Sequence, residues 1–331
     1  MPDGLPLAPP TPRVDVLYQP EQRAQALRDD VLAGLTSTPK HLSPQWFYDE
    51  RGSQLFDAIT RLPEYYPTER ERDLLREHAD DVAELTDANT LVELGSGTSE
   101  KTRLLMDALA ARGSLRRFVP FDVSEETLRQ SAAAIVDEYP DVEVHGVVGD
   151  FGKHLGALPE GHRRMIAFLG STIGNLESHQ RARFLGAVGR VLERGEALLL
   201  GADLVKDVAR LEAAYNDGAG LTAEFNRNIL RVLNRELGAE FDPDRFEHEA
   251  RWDAANEWIE MLLRSAYEQR VHVEALDLDV PFAAGEALRT EISAKFRREG
   301  LERELGDTGF ETAAWWEHPT DDFALVLARV I

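Results

Sequence analysis

Three features of the sequence predict a Rossmann-like, doubly wound α/β sheet carrying a C-terminal antiparallel hairpin and an inserted α+β segment. Short apolar runs at Thr90–Leu94, Arg117–Phe121, Val142–Val148, Met165–Leu169 and Ala197–Leu200 have the length and content of buried strands. Helical stretches at Glu100–Ala111, Glu125–Tyr139 and Gln180–Leu192 alternate with them, the arrangement of parallel strands joined by right-handed crossovers. Two later runs, Glu311–Trp316 and Phe323–Val330, flank Pro319-Thr320-Asp321-Asp322 and predict a hairpin at the edge of that sheet.

Composition bounds the function. The chain has 331 residues, about twice the ~150-residue domain prior, and its 43% hydrophobic content supplies a sizeable core. A net charge of −23 opposes any surface that tracks phosphates, so neither nucleic acid nor an anionic membrane is an expected partner. No apolar window approaches the ~18 residues of a membrane span and no signal-peptide pattern opens the chain, so a cytoplasmic, monomeric protein is expected. The chain contains 0 cysteines, which removes disulfides, thiolate nucleophiles and Cys-based metal sites. The 9 histidines show no paired ligand spacing and Asp242-Pro-Asp244 lacks the glycine of a calcium loop, so no functional metal is expected.

Taken in order, residues 1–16 are proline-rich and predict an extended, mobile tail. Ala24, Leu27, Val31 and Leu32 recur at helical spacing within Glu21–Leu35. Aromatics then crowd beside prolines in Trp46-Phe47-Tyr48 and Leu62-Pro63-Glu64-Tyr65-Tyr66-Pro67-Thr68, where Thr68 and Glu71 predict a capping box opening a helix to about Glu84. After Asp203 the α/β rhythm gives way to helices at Lys206–Asn216 and Leu221–Leu237 and alternating strands around Phe246–Trp252, Trp258–Ala266 and Arg270–Leu278, before a last helix near Leu301–Leu305. The simplest division gives a core of 69–205 and 296–331 and a second, substrate-binding unit of 17–68 and 206–295.

The chemistry concentrates at the carboxyl ends of the predicted strands, where ligands of open α/β sheets bind. The first βα junction, Glu93-Leu94-Gly95-Ser96-Gly97-Thr98-Ser99-Glu100-Lys101, has glycines for a tight turn and close backbone approach. A dinucleotide site would want a third glycine where Glu100 stands, and a carboxylate there would repel a pyrophosphate. The next two strands each end in an acid, Asp122 and Asp150. Asp122 can accept two ribose hydroxyls, and Asp150 with Phe151 can accept from and wall an adenine, although a helix cap and a turn are the plainer roles of these acids. A nucleoside without phosphate fits this series, and S-adenosylmethionine (SAM) is the common one in this fold.

Together with Gly170-Ser-Thr-Ile-Gly-Asn175, Tyr48, Leu62–Thr68, Ile259-Glu-Met261, Phe282-Ala-Ala-Gly-Glu286 and Thr290-Glu-Ile-Ser293, these motifs make the chain from about residue 20 onward resemble the histidine-specific, SAM-dependent methyltransferases of ergothioneine biosynthesis. The resemblance implies a class I SAM-dependent methyltransferase fold and trimethylation of the histidine α-amine to hercynine. It implies Gly95 and Lys101 at the methionine portion of SAM, Asp122 at the ribose, and Asp150 with Phe151 at the adenine. It also implies Asn175 and Tyr215 at the histidine carboxylate, Gly170 and Tyr48 near the amine, and Tyr65, Met261, Glu291, Ile292 and Ser293 around the imidazole. Glu291 and Ser293 are two apart and share a face on a strand, as a reader of a ring with one N–H and one acceptor nitrogen requires. No dedicated strong base is expected, since a free amine loses its proton readily near neutral pH. The same residues also admit a methyltransferase for another small amine, or a SAM-binding module without turnover.

Overall fold

The computed structural model describes residues 11–320 and 322–331. Its largest sheet has eight strands in the order β1 (Arg13–Val16), β5 (Glu143–Val148), β4 (Arg117–Asp122), β3 (Thr90–Leu94), β6 (Arg164–Phe168), β7 (Ala197–Asp203), β14 (Phe323–Val330) and β13 (Phe310–Glu317). Only β14 runs against the rest, pairing antiparallel with both β7 and β13. Chain order reverses between β3 and β6, and a ligand of a doubly wound sheet binds beyond the carboxyl ends of the strands at such a reversal.

Alternation along the buried strands sends successive side chains to opposite faces. Leu91, Phe118 and Met165 pack beneath α3 (Pro67–Thr86), α4 (Thr102–Ala111) and α5 (Glu125–Glu138). Their neighbours Val92, Val119 and Ile166 face α7 (Ser178–Val191) and α10 (Arg298–Asp307). The predicted sheet, its helices and the C-terminal hairpin are therefore all present.

A second sheet, in the order β2 (Lys40–His41), β12 (Ala287–Ala294), β9 (Trp258–Ser265) and β8 (Phe246–Asp253), has its own core. Met261, Leu263 and Leu288 meet Leu35 of α1 (Pro20–Thr36), Leu211 of α8 (Val208–Tyr215) and Ile229 of α9 (Leu221–Leu237). A bulge between Arg289 and Glu291 puts Thr290 and Glu291 together against Met261. The two sheets meet where Gly174, in the turn after β6, lies so close to β12 that a Cβ there would be 2.7 Å from the Ala294 carbonyl oxygen. Among the described residues no helix is long and apolar enough to cross a membrane.

Three local expectations fail. Residues 1–10 of the expected tail lie outside the described residues, but Arg13–Val16 form an edge strand, with the Leu17 N–H donating to the Val148 carbonyl at 2.9 Å and His145 Nε2 lying 2.7 Å from Asp15. The prolines end at Pro12, and Val14 and Val16 then take the alternation of a strand. Thr68 and Glu71 form no capping box, because α3 begins with Pro67 at its first position and Glu71 turns inward, fully buried. The Arg270–Leu278 run is broken by a turn at Glu274–Leu276 and left-handed Asp277, giving a separate hairpin of β10 (Gln269–Val273) and β11 (Leu278–Phe282).

Candidate active site

On one side of the candidate site, the loop after β3 folds back over β4. Gly95 and Gly97 both have left-handed backbones (φ 69° and 49°), and a Cβ on either would meet nothing within 4 Å, so the loop borders open space. One oxygen of Asp122 accepts the Gly97 N–H at 2.8 Å and the other the Ser124 N–H at 2.9 Å. The carboxylate is thereby fixed with lone pairs to spare, while burial pushes its pKa up. Both oxygens can still accept hydroxyl protons, so the cradle fits the ribose of a phosphate-free nucleoside.

Asp150 caps the short helix α6 (Phe151–His154), accepting the Gly152 N–H at 2.8 Å, and pairs with Lys153 at 3.3 Å. Phe151 packs edge-on against Phe168 and Phe184, with ring centres 5.2 and 5.8 Å away. Beneath the loop, Glu93 accepts from Thr102 and keeps its other oxygen unpartnered, and burial pushes its pKa up to about 7.

Lys101 pairs with Glu71, whose other oxygen accepts the Gly170 N–H at 2.7 Å. Gly170 itself is exposed, with a left-handed backbone (φ 74°) that glycine adopts without strain. Asn175 closes the turn at Thr172–Asn175, half-buried, and its side-chain amide has no hydrogen bond among the described residues.

The opposite wall is aromatic and acidic. Tyr48 packs edge-on against Phe56 of α2 (Glu50–Ile59) and Phe225, and Tyr65 against Phe56 and Tyr215, with centroid separations between 5.7 and 6.1 Å. The Tyr215 and Ser293 hydroxyls are 2.7 Å apart. Glu291 stands directly opposite Met261 across the β12–β9 pair, on the face of Ser293. Burial pushes the Glu291 carboxyl up to about 7, only partly offset by Lys295. Burial, then the charge of Glu291, raises the Tyr48 phenol well above its usual range, and Asp122 adds to this.

Most of the residues singled out in the sequence therefore converge between the two sheets. Ile292 does not: strand alternation turns its side chain to the far face of β12, opposite Glu260. Sequence reasoning missed a buried polar cluster that links the sheets. Asp203, at the end of β7, accepts from Tyr66 at 2.8 Å, from Lys295 at 2.8 Å and from Lys206, whose pKa burial pushes down to about 8. An acid ending β7 repeats the pattern of Asp122 and Asp150, and Lys295 continues the two-residue step from Glu291 and Ser293. Those were the available signals. Among the described residues no group of three or more His, Asp or Glu side chains could hold a metal ion.

The family model described as histidine-specific methyltransferase, SAM-dependent, matches residues 27–330. The histidine N-alpha-methyltransferase of Mycobacterium tuberculosis is 57% identical over 92% of this chain and 94% of its own. That of Mycolicibacterium smegmatis is 55% identical over 93% and 96%. Ergothioneine biosynthesis protein 1 of Neurospora crassa is 32% identical over 88% of this chain, which spans 33% of that longer protein.

Proposed function

The chain belongs to the family of SAM-dependent, histidine-specific methyltransferases, and we propose that it transfers three methyl groups from SAM to the α-amine of L-histidine. The product is hercynine, and the step is the first of ergothioneine biosynthesis. The observation that carries this reading is an aromatic wall running from Tyr48 through Phe56 and Tyr65 to Tyr215, whose hydroxyl meets Ser293 on the face of Glu291, in the same molecule as a carboxylate, Asp122, fixed in a form suited to a ribose.

In this reading residues 69–205 and 296–331 hold the donor, and residues 17–68 and 206–295 supply most of the acceptor pocket. Asp122 takes the ribose hydroxyls, Asp150 and Phe151 the adenine, and Gly95 and Lys101 the methionine portion. The Asn175 amide donates to the histidine carboxylate, with Tyr215 beside it passing its own proton to Ser293, and a neutral donor suffices in a desolvated site. Glu291 accepts the imidazole N–H, Ser293 serves its other nitrogen, and Met261 and Tyr65 wall the ring.

SAM supplies an electrophilic methyl group on a sulfonium. The histidine amine must therefore present an uncharged lone pair in line with the S–C bond, which breaks toward sulfur as the N–C bond forms. Each of the first two transfers leaves an ammonium that gives a proton to solvent before the next. The third leaves a permanent cation that donates no hydrogen bond. Tyr48 and the Gly170 carbonyl orient the amine, and the faces of Tyr48 and Tyr65 stabilise the accumulating charge. The chemistry requires neither a metal nor a second subunit.

The deciding experiment incubates the purified protein with SAM and an equimolar mixture of the twenty amino acids and reads products by mass. Histidine carrying up to three added methyl groups, with no other amino acid changed, is the expected outcome. Methylation of another amino acid would overturn the imidazole assignment of Glu291 and Ser293. No methylation, with SAM still bound, would leave a binding module.

A further inference from the structure

We infer that Lys295 is a positioning residue for the ring end of the acceptor: its ammonium occupies lone pairs of both Tyr215 and Ser293, leaving that hydroxyl pair one proton to offer a ligand. The inference rests on the histidine reading of this site.

The Lys295 side chain is 0% exposed and has three short contacts: Asp203 at 2.8 Å, Ser293 at 2.8 Å and Tyr215 at 2.9 Å. An ammonium has three donors and no acceptor, so all three are spent and none reaches the ligand. Ser293 and Tyr215 own two hydroxyl protons, and the 2.7 Å contact between them consumes one. Lys295 can accept neither, so the second proton points into the pocket. Without Lys295 both hydroxyls would regain free lone pairs and could turn as acceptors, leaving the basic nitrogen of a ring held by Glu291 without a dependable donor.

Asp203 makes this arrangement tolerable in a buried place. It carries one negative charge against Lys295 and Lys206, and the Tyr66 hydroxyl and the Ser171 side chain hold its carboxylate and its backbone N–H. The remaining positive charge faces Glu291, which Lys295 favours in its ionised, accepting form. One lysine therefore sets both halves of the reader: a hydroxyl pair that donates and a carboxylate that accepts.

The test is a double-mutant cycle on the full chain, Lys295→Met, Ser293→Ala and the pair together, measuring the histidine KM, kcat and SAM affinity. If Lys295 acts through Ser293, each single change raises KM about 10- to 100-fold, the pair is no worse than the larger single effect, and kcat and SAM affinity stay within about threefold. Should Lys295→Met fail to fold because Asp203 is left unpaired, Asp203→Asn/Lys295→Met removes both charges and replaces it in the cycle. Additive effects, or an unchanged KM in a folded Lys295 variant, overturn the inference while leaving the histidine reading intact. Wild-type protein that leaves histidine unmethylated overturns both.

Discussion

Glu71 and Gly170 are joined by a 2.7 Å hydrogen bond from the Gly170 amide to one carboxylate oxygen, while the other oxygen pairs with Lys101. A single fully buried side chain on α3 thus ties the residue proposed at the methionine portion of the donor to the residue whose carbonyl is proposed at the amine. Room for it exists because position 201 is glycine: a Cβ there would lie 1.8 Å from the Glu71 carboxylate.

Removing this link should be costly. Glu71→Ala leaves the Gly170 amide and the Lys101 ammonium without their shared partner, a loss of about 1–3 kcal/mol, and the expected outcome is a fall of roughly 10- to 100-fold in kcat/KM together with weaker SAM binding. Glu71→Gln restores an acceptor for Gly170 but not the charge for Lys101, so it should fall between. Gly201→Ala should reproduce the Glu71→Ala phenotype without touching either ligand. Steady-state kinetics beside a melting curve checks all three, and an active Gly201→Ala protein would count against the link.

Glu291 gives the reaction a pH signature. Burial pushes its carboxyl up to about 7, and in its proposed role the ionised form accepts the ring N–H more strongly than the neutral acid does. In that role its contribution to histidine binding is fullest above pH ~7 and weakens as pH falls through that value. The Glu291→Gln variant offers an amide oxygen at every pH, so the ratio of its KM to that of the wild type should be largest near pH 8 and shrink toward pH 6. A constant ratio would remove Glu291 from ring recognition.

Glu93 predicts a stability effect of the same origin but no ligand dependence. Its folded pKa of about 7 lies above the ordinary 4.5, so the folded state binds more protons between those values. Stability therefore declines as pH rises from 4.5 to 7 and is level above that. Glu93→Gln keeps an acceptor for Thr102 and abolishes the decline, with an expected gain of about 1–3 kcal/mol at pH 8 and none at pH 4. Urea midpoints at the two pH values decide it.

Tyr48 is poorly suited to be a base, since burial and Glu291 hold its phenol well above its usual range. Tyr48→Phe should keep both ligands bound and lower kcat of the first methylation by less than about 10-fold, the loss of an orienting hydrogen bond. Abolition of the first methylation with both ligands still bound would make Tyr48 the base.

The parts of this molecule that were legible in the sequence are those governed by local periodicity. The buried runs of β3 to β7 could be read because both faces are covered, and the hairpin of β13 and β14 because a turn separates two such runs. The turn that joins Gly97 to Asp122 was legible because both follow the ends of adjacent strands, where the fold allows few alternatives. Glu71, Asp203 and Lys295 escaped because their roles depend on residues as much as 137 positions away, and a buried charge looks the same in a sequence as a solvated one. Glu71 even misled, since its spacing from Thr68 satisfied a capping rule that Pro67 overrode. Ile292 was drawn in by its neighbours, and only the strand register separates it from them.

The antiparallel strand β14 lies between β7 and β13, yet about 120 residues of chain separate β7 from β14. During synthesis at roughly 5–20 residues per second, β7 therefore waits some 6–24 s with one apolar edge unpaired. Every strand of the second sheet, from β2 to β12, emerges before β14 does. The second sheet and the helices packed on it can thus assemble on the ribosome while the eight-stranded sheet is still open, and that interval is when a nascent chain most needs a chaperone at the β7 edge.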